Sequence, residues 1–338
     1  MKKALFFKKL DNKVAQCNIC SHKCKIAPGE TGICGVRKNK DGDLYSLCYG
    51  ITSGTGIDKI EKKPFFHFLP NSAAFSNGTI GCNFACQFCQ NAWMSQCGKD
   101  PKIEIPPLYD LPPEKIVDIC QKEDIPIIAY TYNEPVIYFE YTYDTAIIAH
   151  KKGIKNVYVS NGYATNEVID KIAPVLDAIN IDLKSFSDNF YRRTCKASLK
   201  PVLRNIKRYY EKDVWIEITT LIIQGANDSE KELTQIAEFI ASLSTSIPWH
   251  VTRFSPDYKM KDRSPTPEST IKKAYDIGKK TGLKYVYAGN ITSEDLHSTY
   301  CPKCKNLLVK RDWGYTRIVG LEKGKCEKCG EKIEGVWK

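Results

Sequence analysis

Apolar and polar positions follow two alternating rhythms through the middle of the chain. Short β-rich apolar runs recur at 76–80, 125–131, 156–160, 178–183, 214–223, 249–254 and 284–288. Between them, apolar residues return with the three-to-four spacing of a helix that buries one face. Helices are predicted at 113–123, 135–151, 165–175, 199–211, 229–243 and 267–281. The first of these opens on Pro112 and Pro113 and carries Ile116, Val117 and Ile119 on its apolar stripe. Proline suits that opening position, because the first helical N–H has no partner to lose. Strand followed by helix, many times over, predicts a parallel sheet with right-handed crossovers. The pattern alone does not separate an open sheet from a barrel.

The flanks break the rhythm. Residues 1–70 read as irregular and carry Cys17, Cys20, Cys24 and Cys34. Residues 298–338 are short, rich in lysine, and carry Cys301, Cys304, Cys326 and Cys329. Three parts are therefore expected: an N-terminal Cys-rich extension at 1–70, an α/β domain at 71–297 and a small C-terminal module at 298–338. No internal repeat or low-complexity tract is evident.

Polar groups collect where the predicted strands end. Cys82–Cys89 follows the first strand, Tyr132-Asn133-Glu134-Pro135 the second and Ser160-Asn161-Gly162-Tyr163 the third. Asp182-Leu183-Lys184 ends the fourth, and Arg253-Phe254-Ser255-Pro256 a later one. In parallel α/β architectures the chemistry sits at the carboxyl ends of the strands. Each motif alone is weak, but their common position predicts one concave polar mouth.

Composition narrows the class. A hydrophobic fraction of 42% in 338 residues suits one large core with an appendage. The start Met1-Lys2-Lys3-Ala4-Leu5-Phe6-Phe7 stops at Lys8 and Lys9, too short for a signal peptide or membrane span, so a cytoplasmic location without membrane association is expected. Lys and Arg exceed Asp and Glu by 11. The pI of 8.8 falls below that of strongly basic nucleic-acid-binding domains, so nucleic acid is the less favoured partner. Eleven of the 15 cysteines lie in three tight groups, a spacing that favours metal sites over disulfides.

The run Gly81-Cys82-Asn83-Phe84-Ala85-Cys86-Gln87-Phe88-Cys89-Gln90-Asn91 is the most specific of the three. Four thiolates complete an ordinary iron–sulfur site. Three spaced as Cys-x3-Cys-x2-Cys hold three irons of a cubane and leave the fourth open to another ligand. Cys97 is a fourth ligand by proximity only. At the C-terminus two Cys-x2-Cys pairs fit tetrahedral zinc, whose removal is expected to unfold that module and spare the rest. At the N-terminus zinc is the favoured reading and a second iron–sulfur cluster the alternative, with His22 as a fifth candidate ligand. Cys195 reads as a buried inert thiol. His250 reads as a histidine at the edge of the core. Trp93 and Met94 are divided evenly between lining the mouth and ordinary packing.

The Cys82–Cys89 loop resembles that of the radical SAM superfamily, in which the open iron chelates S-adenosylmethionine (SAM). Further motifs sharpen the resemblance. They are Cys17-Asn18-Ile19-Cys20-Ser21-His22-Lys23-Cys24 with Cys34-Gly35-Val36-Arg37, Ile60-Glu61-Lys62-Lys63-Pro64, His67-Phe68-Leu69-Pro70, Thr131 through Pro135, Ser160 through Tyr163, and Asp182-Leu183-Lys184. Together with the terminal cysteine pairs they resemble the pyruvate formate-lyase-activating branch, and within it the radical SAM member of the AmmeMemoRadiSam system.

That resemblance implies a partial (β/α)6-type TIM barrel with a zinc-ribbon-like tail. It implies a [4Fe-4S] cluster on Cys82, Cys86 and Cys89 and reductive cleavage of SAM to a deoxyadenosyl radical. Phe88 would lie against the adenine and Asn91 would fix the loop. Glu134, with Asn133, would take the methionine ammonium in place of the family's more usual Gly-Gly-Glu. Asn161 would reach the ribose, and Asp182 and Lys184 would contact SAM. The implied partners are a ferredoxin or flavodoxin as electron donor and a protein as substrate, with RNA or a small molecule as the alternative substrate.

Overall fold

All seven β-rich runs become neighbours in one sheet. The computed structural model describes residues 1–312 and 314–337. In chain order the sheet contains β1 (Gly54–Lys59), β2 (Ala73–Gly78), β3 (Ile127–Tyr130), β4 (Lys155–Ser160), β5 (Ala178–Asp182), β6 (Trp215–Ile222), β7 (Trp249–Arg253) and β8 (Val286–Gly289). Their spatial order follows their sequence order, with β2 to β8 parallel and β1 antiparallel to β2. β1 and β8 do not pair among the described residues, so the sheet is an open, mostly parallel one of the partial-barrel kind.

Six crossover helices connect the strands: α1 (Pro113–Lys122), α2 (Phe139–Lys151), α3 (Asn166–Ile172), α4 (Leu199–Glu211), α5 (Glu230–Leu243) and α6 (Glu268–Lys280). Each lies within two or three residues of its expected bounds, except that 135–138 forms a 3-10 turn before α2 and 173–175 another after α3.

Period-two alternation sorts the side chains of each strand. Ile128, Tyr130, Tyr158 and Ile179 face the helices in the main core. Ile127, Ala129, Val157 and Ala178 face inward, against Ile60, Phe65 and Phe68. The segment 60–69 is therefore a plug in the amino-terminal end of the barrel. The Glu217 carboxylate on β6 anchors it, accepting from the backbone N–H groups of Phe66 at 2.9 Å and His67 at 2.8 Å. Glu217 also meets His250 Nε2 at 2.7 Å. His250 is thus 2% exposed inside the barrel rather than at the edge of the core, because a buried carboxylate on the neighbouring strand supplies its partner.

The N-terminal segment is not irregular. Lys2–Lys3, Arg37–Lys40 and Asp43–Ser46 form one antiparallel sheet, and Phe7–Lys9, Ala15–Cys17 and Lys25–Ile26 form another. Strands of two to four residues are too short to display a period. The large sheet also begins before residue 71, at β1.

Toward the C-terminus, Thr299–Tyr300, Leu307–Asp312 and Tyr315–Ile318 form an antiparallel sheet. Residues 313 and 338 of the expected module lie outside the described residues. The tail is interlocked with the plug. Val336 N donates to His67 O at 2.7 Å, Leu69 N to Val336 O at 2.7 Å, and Arg311 Nη2 to Phe66 O at 2.6 Å. The tail is therefore held by the plug as well as by its own sheet, and its last residues floor the barrel. Among the described residues, no helix is long and apolar enough to cross a membrane.

Candidate functional site

The carboxyl ends of β2 to β7 surround a cavity of about 380 Å³. Every residue singled out around the Cys82–Cys89 loop lines it: Cys82, Cys86, Phe88, Cys89, Asn91, Asn133, Glu134, Asn161, Asp182 and Lys184. A larger hollow of about 490 Å³ lies outside the loop, against Gln87, Arg193 and Lys196, and contains none of the three cysteines. The three cysteines and the strand-end motifs therefore share the smaller cavity.

The loop is tethered from several sides. β2 can end beside β3 because residue 78 is glycine; a Cβ there would stand 2.7 Å from Thr131 O. Asn91 Nδ2 donates to Tyr132 O at 2.8 Å. Lys99 Nζ donates to Cys82 O at 2.6 Å and Phe84 O at 2.9 Å. From behind, Ala85 N donates to Cys195 O at 2.9 Å and Gln87 N to Thr194 O at 3.0 Å. Sequence reasoning missed Lys99, which sits outside any motif and whose hydrogen bonds are to backbone carbonyls.

Asn133 has a different place from the expected one. Its Oδ1 accepts from Thr79 N at 3.1 Å, and its Nδ2 donates to Gly81 O at 2.8 Å and Ile80 O at 3.3 Å. Its amide is engaged beneath the entrance to the loop, which leaves Glu134 as the group of that motif with a charge to offer.

Glu134 is 3% exposed. Its carboxylate accepts from Ser160 Oγ at 2.8 Å, Asn161 N at 2.7 Å and Val136 N at 3.2 Å. Burial nevertheless pushes its pKa up to about 7. Asn161 donates through Nδ2 to Asn83 Oδ1 at 2.8 Å. Asn83 Nδ2 is buried without a hydrogen-bond partner. Ser160 and Asn83 were legible only as neighbours of the marked residues.

Lys184 Nζ meets Asp182 Oδ2 at 2.8 Å and lies 5.6 Å from the centre of the Phe88 ring. Burial alone would lower the lysine pKa, but Asp182, Cys86 and Cys195 outweigh it and hold the group charged.

The three thiols are free. Burial pushes Cys82 up to about 12 and raises Cys89, while Cys86 is raised first by its hydrogen bond with Cys195 and then by burial. They are neutral until a cation arrives, so metal binding must release protons. Cys97 turns away, donating to Met94 O at 3.0 Å. Met94 is fully buried, whereas Trp93 is 48% exposed.

The C-terminal quartet has a different geometry. Cys301 and Cys329 sulfurs are 3.6 Å apart, as are those of Cys304 and Cys326, and all four lie within 4.8 Å of one another. This arrangement could hold one metal ion. Among the described residues no other group of three or more His, Cys, Asp or Glu ligand atoms is so close. Cys17, Cys20 and Cys34 are buried and Cys24 half-buried, gathered by the Ala15–Cys17 hairpin and the 32–37 turn. His22 Nε2 meets Asn83 O at 2.9 Å and so faces the Cys82–Cys89 loop instead.

The radical SAM superfamily matches residues 76–240. An uncharacterized protein of Methanocaldococcus jannaschii is 42% identical over 99% of this chain and 99% of its own length. The pyruvate formate-lyase 1-activating enzyme of Escherichia coli K12 is 22% identical over 61% of this chain and 89% of its own. Among solved structures, SuiB of Streptococcus suis bound to precursor peptide SuiA has a TM-score of 0.51 at 12% identity, covering 69% of this chain and 51% of that one.

Proposed function

We propose that this chain, which belongs to the radical SAM superfamily and is related to its glycyl-radical-activating branch, holds a [4Fe-4S] cluster on Cys82, Cys86 and Cys89 and cleaves SAM to act on a protein. One observation carries this reading. Three free thiols share a cavity with a buried carboxylate whose hydrogen-bond partners are one hydroxyl and two backbone N–H groups, near an Asn83 side chain whose Nδ2 has no hydrogen-bond partner among the described residues. That donor set suits a metal cluster beside a ligand bearing an ammonium group. When bound, the cluster supplies one electron to SAM and so a deoxyadenosyl radical that removes hydrogen from the substrate.

The chain's own residues bind, orient and exclude water. Glu134 takes the ammonium, and Lys184 the ligand carboxylate in competition with Asp182. Phe88 supports the adenine, Asn91 holds the loop, and Asn161 turns from Asn83 to the ribose. Asn133 positions the loop from below. The substrate is read as a protein because related enzymes are named for activating pyruvate formate-lyase and (2S)-3-sulfopropanediol sulfolyase. Within the branch, the full motif set favours the radical SAM member of the AmmeMemoRadiSam system, with a ferredoxin or flavodoxin as donor.

Anaerobic reconstitution followed by electron paramagnetic resonance with and without SAM tests the reading. The reduced signal should change on adding SAM, and deoxyadenosine should form under reducing conditions. A spectrum indifferent to SAM would sink it.

Glu134 makes a sharper prediction. Its pKa is raised from 4.5 to about 7, so between those values the folded chain holds a proton that the unfolded chain has released. The ligand-free protein therefore loses stability from this group as pH climbs through that window. An ammonium needs the carboxylate form, so SAM affinity should rise as pH passes through 7. Glu134→Gln should flatten that rise and weaken binding about tenfold to a hundredfold, the range of a hydrogen bond to a charged group. Calorimetric titration of SAM at several pH values checks both.

We also read the C-terminal quartet as a zinc site. Four thiolates around one zinc stand about 3.8 Å apart, as set by Zn–S bonds of about 2.3 Å in a tetrahedron. Cys304→Ser should cost about one zinc per chain. It should also lower the thermal midpoint of the whole protein, because Arg311 and Val336 brace the plug. Elemental analysis with a melting curve decides; unchanged zinc content would refute it.

A further inference from the structure

The N-terminal quartet can be compared with two other cysteine groups in the same chain. The C-terminal sulfurs have closed to the separation of ligands around a single ion. The Cys82, Cys86 and Cys89 sulfurs have not, among the described residues, and neither have those of Cys17, Cys20, Cys24 and Cys34. The N-terminal thiols are nonetheless near neighbours: beyond the burial that raises them, Cys34 and Cys24 help push up the Cys17 thiol, and Cys17 and Cys34 the Cys20 thiol. The fold enforces this grouping: Cys17 N donates to Cys24 O at 2.9 Å, and a Cβ on Gly32 would lie 3.8 Å from Cys24 Sγ. Thiols gathered by the fold but not drawn to single-ion separation favour a cubane, which spreads its ligands, over a single zinc.

Position and charge point the same way. Cys34 O presses on Gly81, where a Cβ would come within 2.4 Å of it, and Gly81 directly precedes Cys82. Cys20 bridges to Ala164, and His22 Nε2 meets Asn83 O at 2.9 Å, so the segment carrying the quartet also touches the loop through residue 83. Arg37 is fully buried, and its charge acts on Cys17 and Cys34. A cluster with four thiolates is an anion, and the guanidinium, already paired with the Glu140 carboxylate, offsets that charge only in part. Cys24 alone reaches the surface, between the exposed Lys23 and Lys25.

We propose that Cys17, Cys20, Cys24 and Cys34 hold a second [4Fe-4S] cluster that passes electrons to the site at Cys82, Cys86 and Cys89. A low-potential one-electron donor reaching the Cys24 edge is oxidised by one electron. The N-terminal cluster accepts that electron and hands it on, and no bond or proton changes place. The relay direction rests on the function proposed above; the cluster itself does not.

The test uses the full chain, reconstituted without oxygen and freed of loose metal. The intact protein should carry about eight irons, and Cys82→Ala/Cys86→Ala/Cys89→Ala about four. The latter should show a dithionite-reduced resonance signal that SAM leaves unchanged. Cys24→Ala should lose about four irons and keep a SAM-responsive signal. It should also make deoxyadenosine more slowly with reduced flavodoxin. Should the triple variant fail to fold, Mössbauer spectra of the intact protein should still resolve two cubane populations, only one shifted by SAM. Four irons in the intact protein, with a SAM-responsive signal and zinc beyond one per chain, would overturn this inference and leave the proposed function standing. Four irons in the triple variant, with no response to SAM in the intact protein, would support the second cluster and remove the SAM chemistry instead.

Discussion

Cys86→Ala is expected to reduce deoxyadenosine formation from SAM to the uncatalysed background, while Cys195→Ala retains most of it. Cys195 is the neighbour that most raises the Cys86 thiol, so the pair separates a proposed metal ligand from the group beside it. Cys86 lines the cavity. Cys195 is fully buried behind the loop and braces it through its backbone carbonyl, which any residue provides. With two thiolates left, the loop lacks the ligands for a site-differentiated cubane, and the one-electron source disappears with it. The loss is therefore in kcat rather than in SAM affinity alone. Product analysis under dithionite, with iron counted in both variants, measures it. If Cys86→Ala kept its cluster and Cys86→Ala/Cys195→Ala did not, Cys195 would have replaced the missing ligand and its reading as inert would be wrong.

The parallel strands were legible because both of their faces are covered. Such strands read as near-continuous apolar runs, and Ile127–Tyr130 or Ala178–Asp182 could hardly be anything else. β1 escaped for the opposite reason. Gly54, Gly56 and Asp58 have poor strand propensity, and the sheet edge asks for no apolar face. The plug escaped because its order comes from contacts remote in sequence, chiefly Glu217 holding Phe66 and His67 across 150 residues.

The site was legible as residue types at strand ends, since Glu134, Asn161 and Lys184 sit there in motifs. Their partners were not. Nothing in the sequence says that Asn133 spends its amide on residues 79–81, or that His22 faces the Cys82 loop. Cysteine spacing along the chain also does not fix sulfur separation in space. That separation is what distinguishes the N-terminal quartet from the C-terminal one.

Arg37 ties the cysteine extension to the barrel, and breaking that tie should cost the chain much of its stability. Its guanidinium meets both oxygens of Glu140, at 2.9 and 2.6 Å, and donates to Ile137 O at 2.9 Å. Side-chain exposures are 0% and 1%, so neither charge has water to fall back on. Glu140 also accepts from Leu5 N at 2.9 Å, which ties in the link between the strands Lys2–Lys3 and Phe7–Lys9. Arg37→Met leaves that carboxylate buried without its cation and should cost about 3–5 kcal/mol. Arg37→Met/Glu140→Leu removes both charges and should recover a large part of the loss, because the penalty comes from the unpaired ion and not from the absent pair. Denaturant unfolding of the reconstituted protein and the two variants completes the comparison. A double variant no more stable than Arg37→Met would mean that the orphaned Ile137 carbonyl and lost packing dominate, with the ion pair contributing little.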